Sequence, residues 1–89
     1  MNSQPPDIKL FALSTCSHCK AVKSLLRNSQ CVFKEVDIDQ LAPEARKEAL
    51  AELRAYNRKV SFPTTVVNGQ VIVGNKQAEL KKAIQTVSA

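Results

Sequence analysis

Aromatic residues are scarce: the chain has no tryptophan, one tyrosine and three phenylalanines among 89 residues. No run of lysine or arginine exceeds two residues. A nucleic-acid binder needs a cationic track and stacking platforms, so the net charge of +5 does not imply one. That charge suits solubility and the attraction of acidic partner surfaces. No apolar stretch nears the roughly 20 residues of a membrane span. The start, MNSQPPDIKLF, lacks the basic flank and apolar run of a secretory signal. This points to the cytosol, where thiols stay reduced. Histidine occurs once and cysteine three times. Three cysteines cannot close a disulfide framework, and a structural zinc site needs four ligands.

What is present fits one small domain. Hydrophobic residues make up 44% and charged residues 24%, the balance of a soluble globular chain. Met1 to Asp7, with Pro5 and Pro6, reads as a disordered lead-in. IKLFAL (Ile8 to Leu13) is an apolar run that stops at Ser14-Thr15, which predicts a buried strand. From Cys19 to Ser29, Val22, Leu25 and Leu26 recur at helical spacing. CVFKEVDI (Cys31 to Ile38) is β-branched and aromatic, a second strand. Pro43 suits the first turn of a helix whose buried stripe is Ala45, Ala49, Leu53 and Tyr56. Between Glu44 and Lys59 acids and bases interleave, as on a solvated face. TTVV and QVIV flank Asn68-Gly69, a hairpin signal, because a type I′ turn needs φ > 0 at both central residues. A last helix is expected from Lys76 to Val87, with Asn75 as N-cap and Leu80, Ala83, Ile84 and Val87 on its apolar face.

The predicted order is β-α-β-α-β-β-α. A strand–helix–strand start implies a right-handed crossover and a parallel pair. The fold class is therefore α/β, a four-stranded mixed sheet with helices on its faces.

The chemistry concentrates in STCSHCKAVKSLL (Ser14 to Leu26). Cys16 falls at the mouth of the first helix and Cys19 one turn later. That spacing lets the two sulfurs approach bonding distance. The unpaired N–H groups and positive end of the helix favour a thiolate at Cys16. The thiolate is the attacking species, so Cys16 is the expected nucleophile and Cys19 the resolving thiol. His18 either tunes Cys16 as an imidazolium or is simply an exposed residue of the first turn. Cys31, beside Val32 and Phe33, reads as a small buried hydrophobe. The metal ligands expected are none: the ligand count is too low for zinc. A Cu(I) carrier, which suits two soft thiolates, should run β-α-β-β-α-β instead. A soft-metal carrier for Cu(I) or an Fe–S cluster, or a cluster-bridged dimer, remains the alternative use of the pair.

LFALSTCSHCKAVKSLL, VSFPTTVVNGQVIVG and VGNKQAELKKAI together resemble the glutaredoxins of the thioredoxin superfamily. The resemblance covers nearly the whole chain and implies one glutaredoxin-like domain over residues 8–89. It implies thiol–disulfide oxidoreductase activity on disulfide-containing proteins or small thiols, with no tightly bound cofactor. The reductant would be glutathione or a thioredoxin-reductase-type flavoenzyme. It also implies a cis Phe62-Pro63 bond facing the cysteines, with Phe62 backbone and the Thr64 hydroxyl positioning substrate, and a substrate-binding turn at Gly74 and Asn75. The sequence departs from the family in three places. Ser17-His18 replaces Pro-Tyr between the cysteines. Leu13 stands where many members carry a lysine for a glutathione carboxylate, with Lys20, Lys23 and Lys76 the cations available instead. The turn Val73-Gly74-Asn75-Lys76-Gln77 has no acid before Glu79. The missing lysine favours the flavoenzyme as donor.

Overall fold

The computed structural model describes residues 7–88, with side chains through residue 85. The expected lead-in lies outside the described residues but for Asp7. The chain runs β1 (Ile8–Ala12), α1 (Ser17–Asn28), β2 (Lys34–Asp37), a 3-10 turn (Ile38–Gln40), α2 (Pro43–Tyr56), β3 (Thr64–Val67), β4 (Gln70–Val73) and α3 (Gln77–Ser88). The sheet order is β2-β1-β3-β4. β1 runs parallel to β2 and antiparallel to β3, and β3 pairs antiparallel with β4. This is the four-stranded mixed sheet and the element order read from the sequence.

Alternation along the strands divides the core in two. Ile8, Leu10 and Ala12 of β1, Val67 and Ile72 pack with Cys19, Val22, Leu25 and Leu26 of α1 and Leu80, Ala83 and Ile84 of α3. On the other face Phe11 and Val66 meet Ile38 and Leu53 of α2. Burying one such aliphatic side chain is worth about 1.5–3 kcal/mol.

Several boundaries differ from the expected ones, each for a local reason. The start of α1 is not among them: it begins at Ser17, capped by the Cys16 sulfur at the expected helix mouth. α1 closes through Gln30 in the left-handed region, φ 58°. The Gln30 N–H then donates to Arg27 O and the Cys31 N–H to Leu26 O, a Schellman closure. That closure takes the Cys31 amide, so β2 starts at Lys34 instead of Cys31. Cys31 is consequently half-buried, not buried, and its thiol leans on Ser29 O at 3.7 Å.

The α2 stripe is narrower than expected. Leu53 is buried and Ala49 and Leu50 half-buried, whereas Ala45 is exposed and Tyr56 is 42% exposed. Tyr56 still touches the Phe11 ring, with centroids 6.4 Å apart. At α3 the Lys76 carbonyl accepts the first helical bond, from Leu80. Asn75 is thus outside the cap position and takes the side-chain amide of Gln77 instead. Leu80, Ala83 and Ile84 face the core as expected; the side chain of Val87 lies outside the described residues. Asn68 and Gly69 have φ of 47° and 88°, as the hairpin turn requires.

Candidate active site

The register fixes where the site lies. Phe11, near the end of β1, pairs with Thr64, the first residue of β3, and Thr64 pairs with Val73, the last of β4. The β1–α1 loop, the segment before Thr64 and the turn after Val73 therefore share one end of the sheet.

Cys16 is the N-cap of α1, extended at φ −84° and ψ 120°. Its sulfur accepts the Cys19 N–H at 3.2 Å, the bond a serine or aspartate cap would make. Burial opposes ionisation of Cys16. The Cys19 thiol, the N–H groups of Cys19 and His18, and the Lys23 charge outweigh it, so the Cys16 pKa lies below the ordinary thiol range. Cys19 is fully buried. Burial first, then donation to Cys16 and the charge of Cys16, push its pKa up to about 11. The two thiols are thus driven apart in acidity, the arrangement that separates an attacking sulfur from a waiting one.

His18 is exposed, and its contact with the Cys16 sulfur is through its backbone N–H. The side-chain cation felt by both sulfurs is Lys23. Lys23 is 8% exposed. Its Nζ lies 2.8 Å from Asp37 Oδ1 and 3.3 Å from Glu35 Oε1. Burial lowers the Lys23 pKa, but the two carboxylates more than offset this and raise it, so the cation is retained. Held in this way, Lys23 cannot also serve as a free cation for a substrate carboxylate. Of the three lysines available for that role, only Lys20 and Lys76 are exposed.

Ahead of Cys16 a second clasp holds the loop. Ser14 donates its N–H to Asp39 Oδ1 at 2.9 Å, and its hydroxyl donates to Asp39 Oδ2. Gln40 donates to the Ser14 hydroxyl at 3.1 Å. The Cys16 N–H donates to Leu13 O. Serine donation first, against little burial, holds the Asp39 carboxyl below its usual range.

The Phe62-Pro63 peptide bond is cis. Pro63 is buried, and its carbonyl accepts the Gly74 N–H at 2.8 Å. Gly74 has φ 91°, a conformation open to glycine at little cost. Phe62 is half-buried, and neither its N–H nor its C=O takes a backbone partner among the described residues. Phe62 and Cys16 pack on the same core cluster. Thr64 corrects the expectation for it. It is fully buried, its hydroxyl donates to Ser61 O at 2.8 Å and accepts from Asn57 Nδ2 at 3.1 Å. The Thr64 hydroxyl is therefore spent inside the protein and shapes the loop rather than a substrate. Asn57, the C-cap of α2, organises that loop: it also bonds the Ser61 hydroxyl at 2.9 Å and receives the Lys59 N–H at 3.2 Å.

Among the described residues no three His, Cys, Asp or Glu side chains gather into a metal-binding group. No helix among them is long and apolar enough to cross a membrane. Asn57, Asp39 and the Lys23–Asp37 pair escaped the sequence reading. Asp39 and the Lys23–Asp37 pair act across 25 and 14 residues, which no local pattern signals, and Asn57 acts through the fold of its own loop, at two, four and seven residues.

The glutaredoxin family model matches residues 8–72, most of the chain. The chain belongs to the glutaredoxin family. Among solved structures, the glutaredoxin of Methanosarcina mazei superposes with a TM-score of 0.81 at 38% identity, over 88% of this chain and 77% of that one. The methanoredoxin of Methanosarcina acetivorans gives a TM-score of 0.84 at 37% identity, over 88% and 83% of the two chains. An uncharacterized glutaredoxin-like 8.6 kDa protein from a Clostridium pasteurianum rubredoxin operon is 28% identical over 88% of this chain and 97% of its own length. A thiol–disulfide redox role follows for this glutaredoxin.

Proposed function

We propose that this glutaredoxin is a dithiol protein-disulfide oxidoreductase. The observation that carries the reading is the Cys16 sulfur at the N-cap of α1, 3.2 Å from the Cys19 N–H. The Cys16 thiolate attacks one sulfur of a substrate disulfide. A Cys16–substrate bond forms, the substrate disulfide breaks, and the other substrate sulfur leaves as a thiolate that takes up a proton.

Capture also changes Cys19. Two of the influences that hold its pKa near 11, donation to Cys16 and the charge of Cys16, end when Cys16 becomes covalently bound. A backbone contact at Leu13 and the Lys23 charge remain, and both favour the thiolate. Burial still opposes a free Cys19 thiolate, so Cys19 gives up its proton as it attacks Cys16, and the departing substrate thiolate takes one up. The second substrate sulfur leaves, and a Cys16–Cys19 disulfide remains. The substrate has gained two electrons and two protons, and the dithiol has lost them. Glutathione or a thioredoxin-reductase-type flavoenzyme restores the dithiol; Leu13, in place of a cation, favours the flavoenzyme.

The unpaired Phe62 N–H and C=O are suited to an extended peptide lying beside Cys16, with Gly74 and Asn75 bordering it. This chemistry belongs to a reducing compartment such as the cytosol. The test is trapping. Cys19→Ser should accumulate a mixed disulfide with an oxidised protein substrate, and Cys16→Ser should form none and turn nothing over. Wild-type rates from both variants would refute the mechanism. Stoichiometric copper or iron in anaerobically purified protein, with no turnover, would instead favour the soft-metal carrier.

A further inference from the structure

The charges at the site end of the sheet are distributed unevenly. No acidic residue occurs between Asp7 and Glu35, or between Glu52 and Glu79. Those two gaps contain most of what surrounds Cys16: the β1–α1 loop, the head of α1, the segment from Asn57 to Pro63, and the turn at Gly74. Within them Lys20, Arg58, Lys59 and Lys76 are all exposed. None of the four takes an ion-pair partner among the described residues.

Geometry keeps three of these cations at the site. The Lys20 N–H donates to Cys16 O at 3.1 Å, which puts Lys20 one helical turn from the nucleophile on the same edge. Arg58 and Lys59 ride on the short loop that Asn57 ties to Ser61 and Thr64, directly before Pro63. Lys76 caps α3 two residues after Gly74, whose N–H is bonded to Pro63 O.

Two acids at this end already have partners within the protein. Asp37 is paired with Lys23, and Asp39 is held by Ser14. α2 is neutral, with three acids against three bases. The site therefore presents a cationic rim of four exposed side chains, which outnumber the exposed acids Asp39, beside Ser14, and Glu79, in the first turn of α3. Charge of one sign around a cleft steers oppositely charged partners and raises their on-rates by roughly 10- to 1,000-fold in strong cases.

We propose that the preferred substrate of this glutaredoxin is a disulfide carried by an acidic, extended peptide segment of a partner protein. The acids beside the disulfide meet Lys20, Arg58, Lys59 and Lys76, while the peptide backbone pairs with Phe62. This rests on the thiol–disulfide reading above and goes beyond it in naming the substrate class.

The test mixes the pre-reduced full-length protein with oxidised peptides in single turnovers. Three disulfide peptides share one sequence, with flanks of Asp/Glu, Ser or Lys. Acidic flanks also make a sulfur a poorer leaving group, so each rate is divided by that of dithiothreitol on the same peptide. The acidic peptide should exceed the neutral one by about fivefold or more at low salt, with the basic peptide slowest. The preference should shrink in about 0.5 M salt, where the screening length falls to several ångströms. Lys59→Glu/Lys76→Glu should abolish it and leave the rate with neutral hydroxyethyl disulfide within about twofold. Equal normalised rates, a reversed order, or a preference that survives the double variant would overturn the proposal. Failure to reduce hydroxyethyl disulfide at all would instead refute the thiol–disulfide reading itself.

Discussion

Thr65 sits in the middle of β3, fully buried, between Leu10 of β1 and Ile72 of β4. Its hydroxyl is the buried side-chain group without a hydrogen-bond partner among the described residues. A hydroxyl taken from water and left unpaired costs about 1–3 kcal/mol. Valine has nearly the same shape and puts a methyl in its place. Thr65→Val should therefore stabilise the fold by about 1–2 kcal/mol. For a domain of this size that raises Tm by about 4–16 °C. The assay is thermal or urea unfolding, with Thr65→Ser as the control. Serine keeps the hydroxyl and loses a methyl, so it should destabilise by about 1 kcal/mol. Reaction with hydroxyethyl disulfide should be unchanged in both. A Thr65→Val protein less stable than the parent would refute the reasoning, because it would mean that the hydroxyl has a partner worth keeping.

Asn57→Ala should remove three hydrogen bonds from the loop before Pro63 and leave the Lys59 N–H and Thr64 hydroxyl short of partners. The expected loss is about 1–3 kcal/mol in unfolding, with KM for a peptide disulfide rising more than kcat falls. Lys23→Met should raise the pH midpoint of Cys16 alkylation, since it deletes the side-chain cation acting on that sulfur. It should also cost about 1–3 kcal/mol, less than a fully buried pair because Asp37 and Glu35 still reach water. Gly74→Ala meets no atom within 4 Å of the new Cβ, so its cost is conformational, about 1–2 kcal/mol for φ of 91°. Unfolding without loss of stability would contradict that.

The features legible in the sequence were those with local causes. Pro43 opens α2 because a missing N–H costs nothing there, and Asn68-Gly69 turns the hairpin because both residues tolerate positive φ. Apolar periodicity located the three helices, and the spacing of Cys16 and Cys19 located the candidate site. Alanine periodicity misled at Ala45, because a small side chain matches an apolar stripe without requiring burial. Tyr56 misled because one ring edge on Phe11 leaves the rest of the side chain in solvent. Thr64 misled because its motif position says nothing of which sheet face it takes; its side chain lies on the α2 side, where Asn57 receives it. Cys31 misled because the closing turn of α1 claims its amide, which only the backbone path reveals. The Lys23–Asp37 and Ser14–Asp39 pairs join segments 14 and 25 residues apart, so the fold alone brings them together.

The account turns on the charge state of Cys16, which its alkylation rate against pH measures in the reduced protein. An acid whose pKa is depressed by folding contributes stability above its unfolded pKa and loses it as pH falls through the folded one. The rate should therefore follow a midpoint below that of the urea-unfolded chain, and Cys16 should be modified well before Cys19. A folded midpoint at or above the unfolded one, or Cys19 reacting first, would contradict the account.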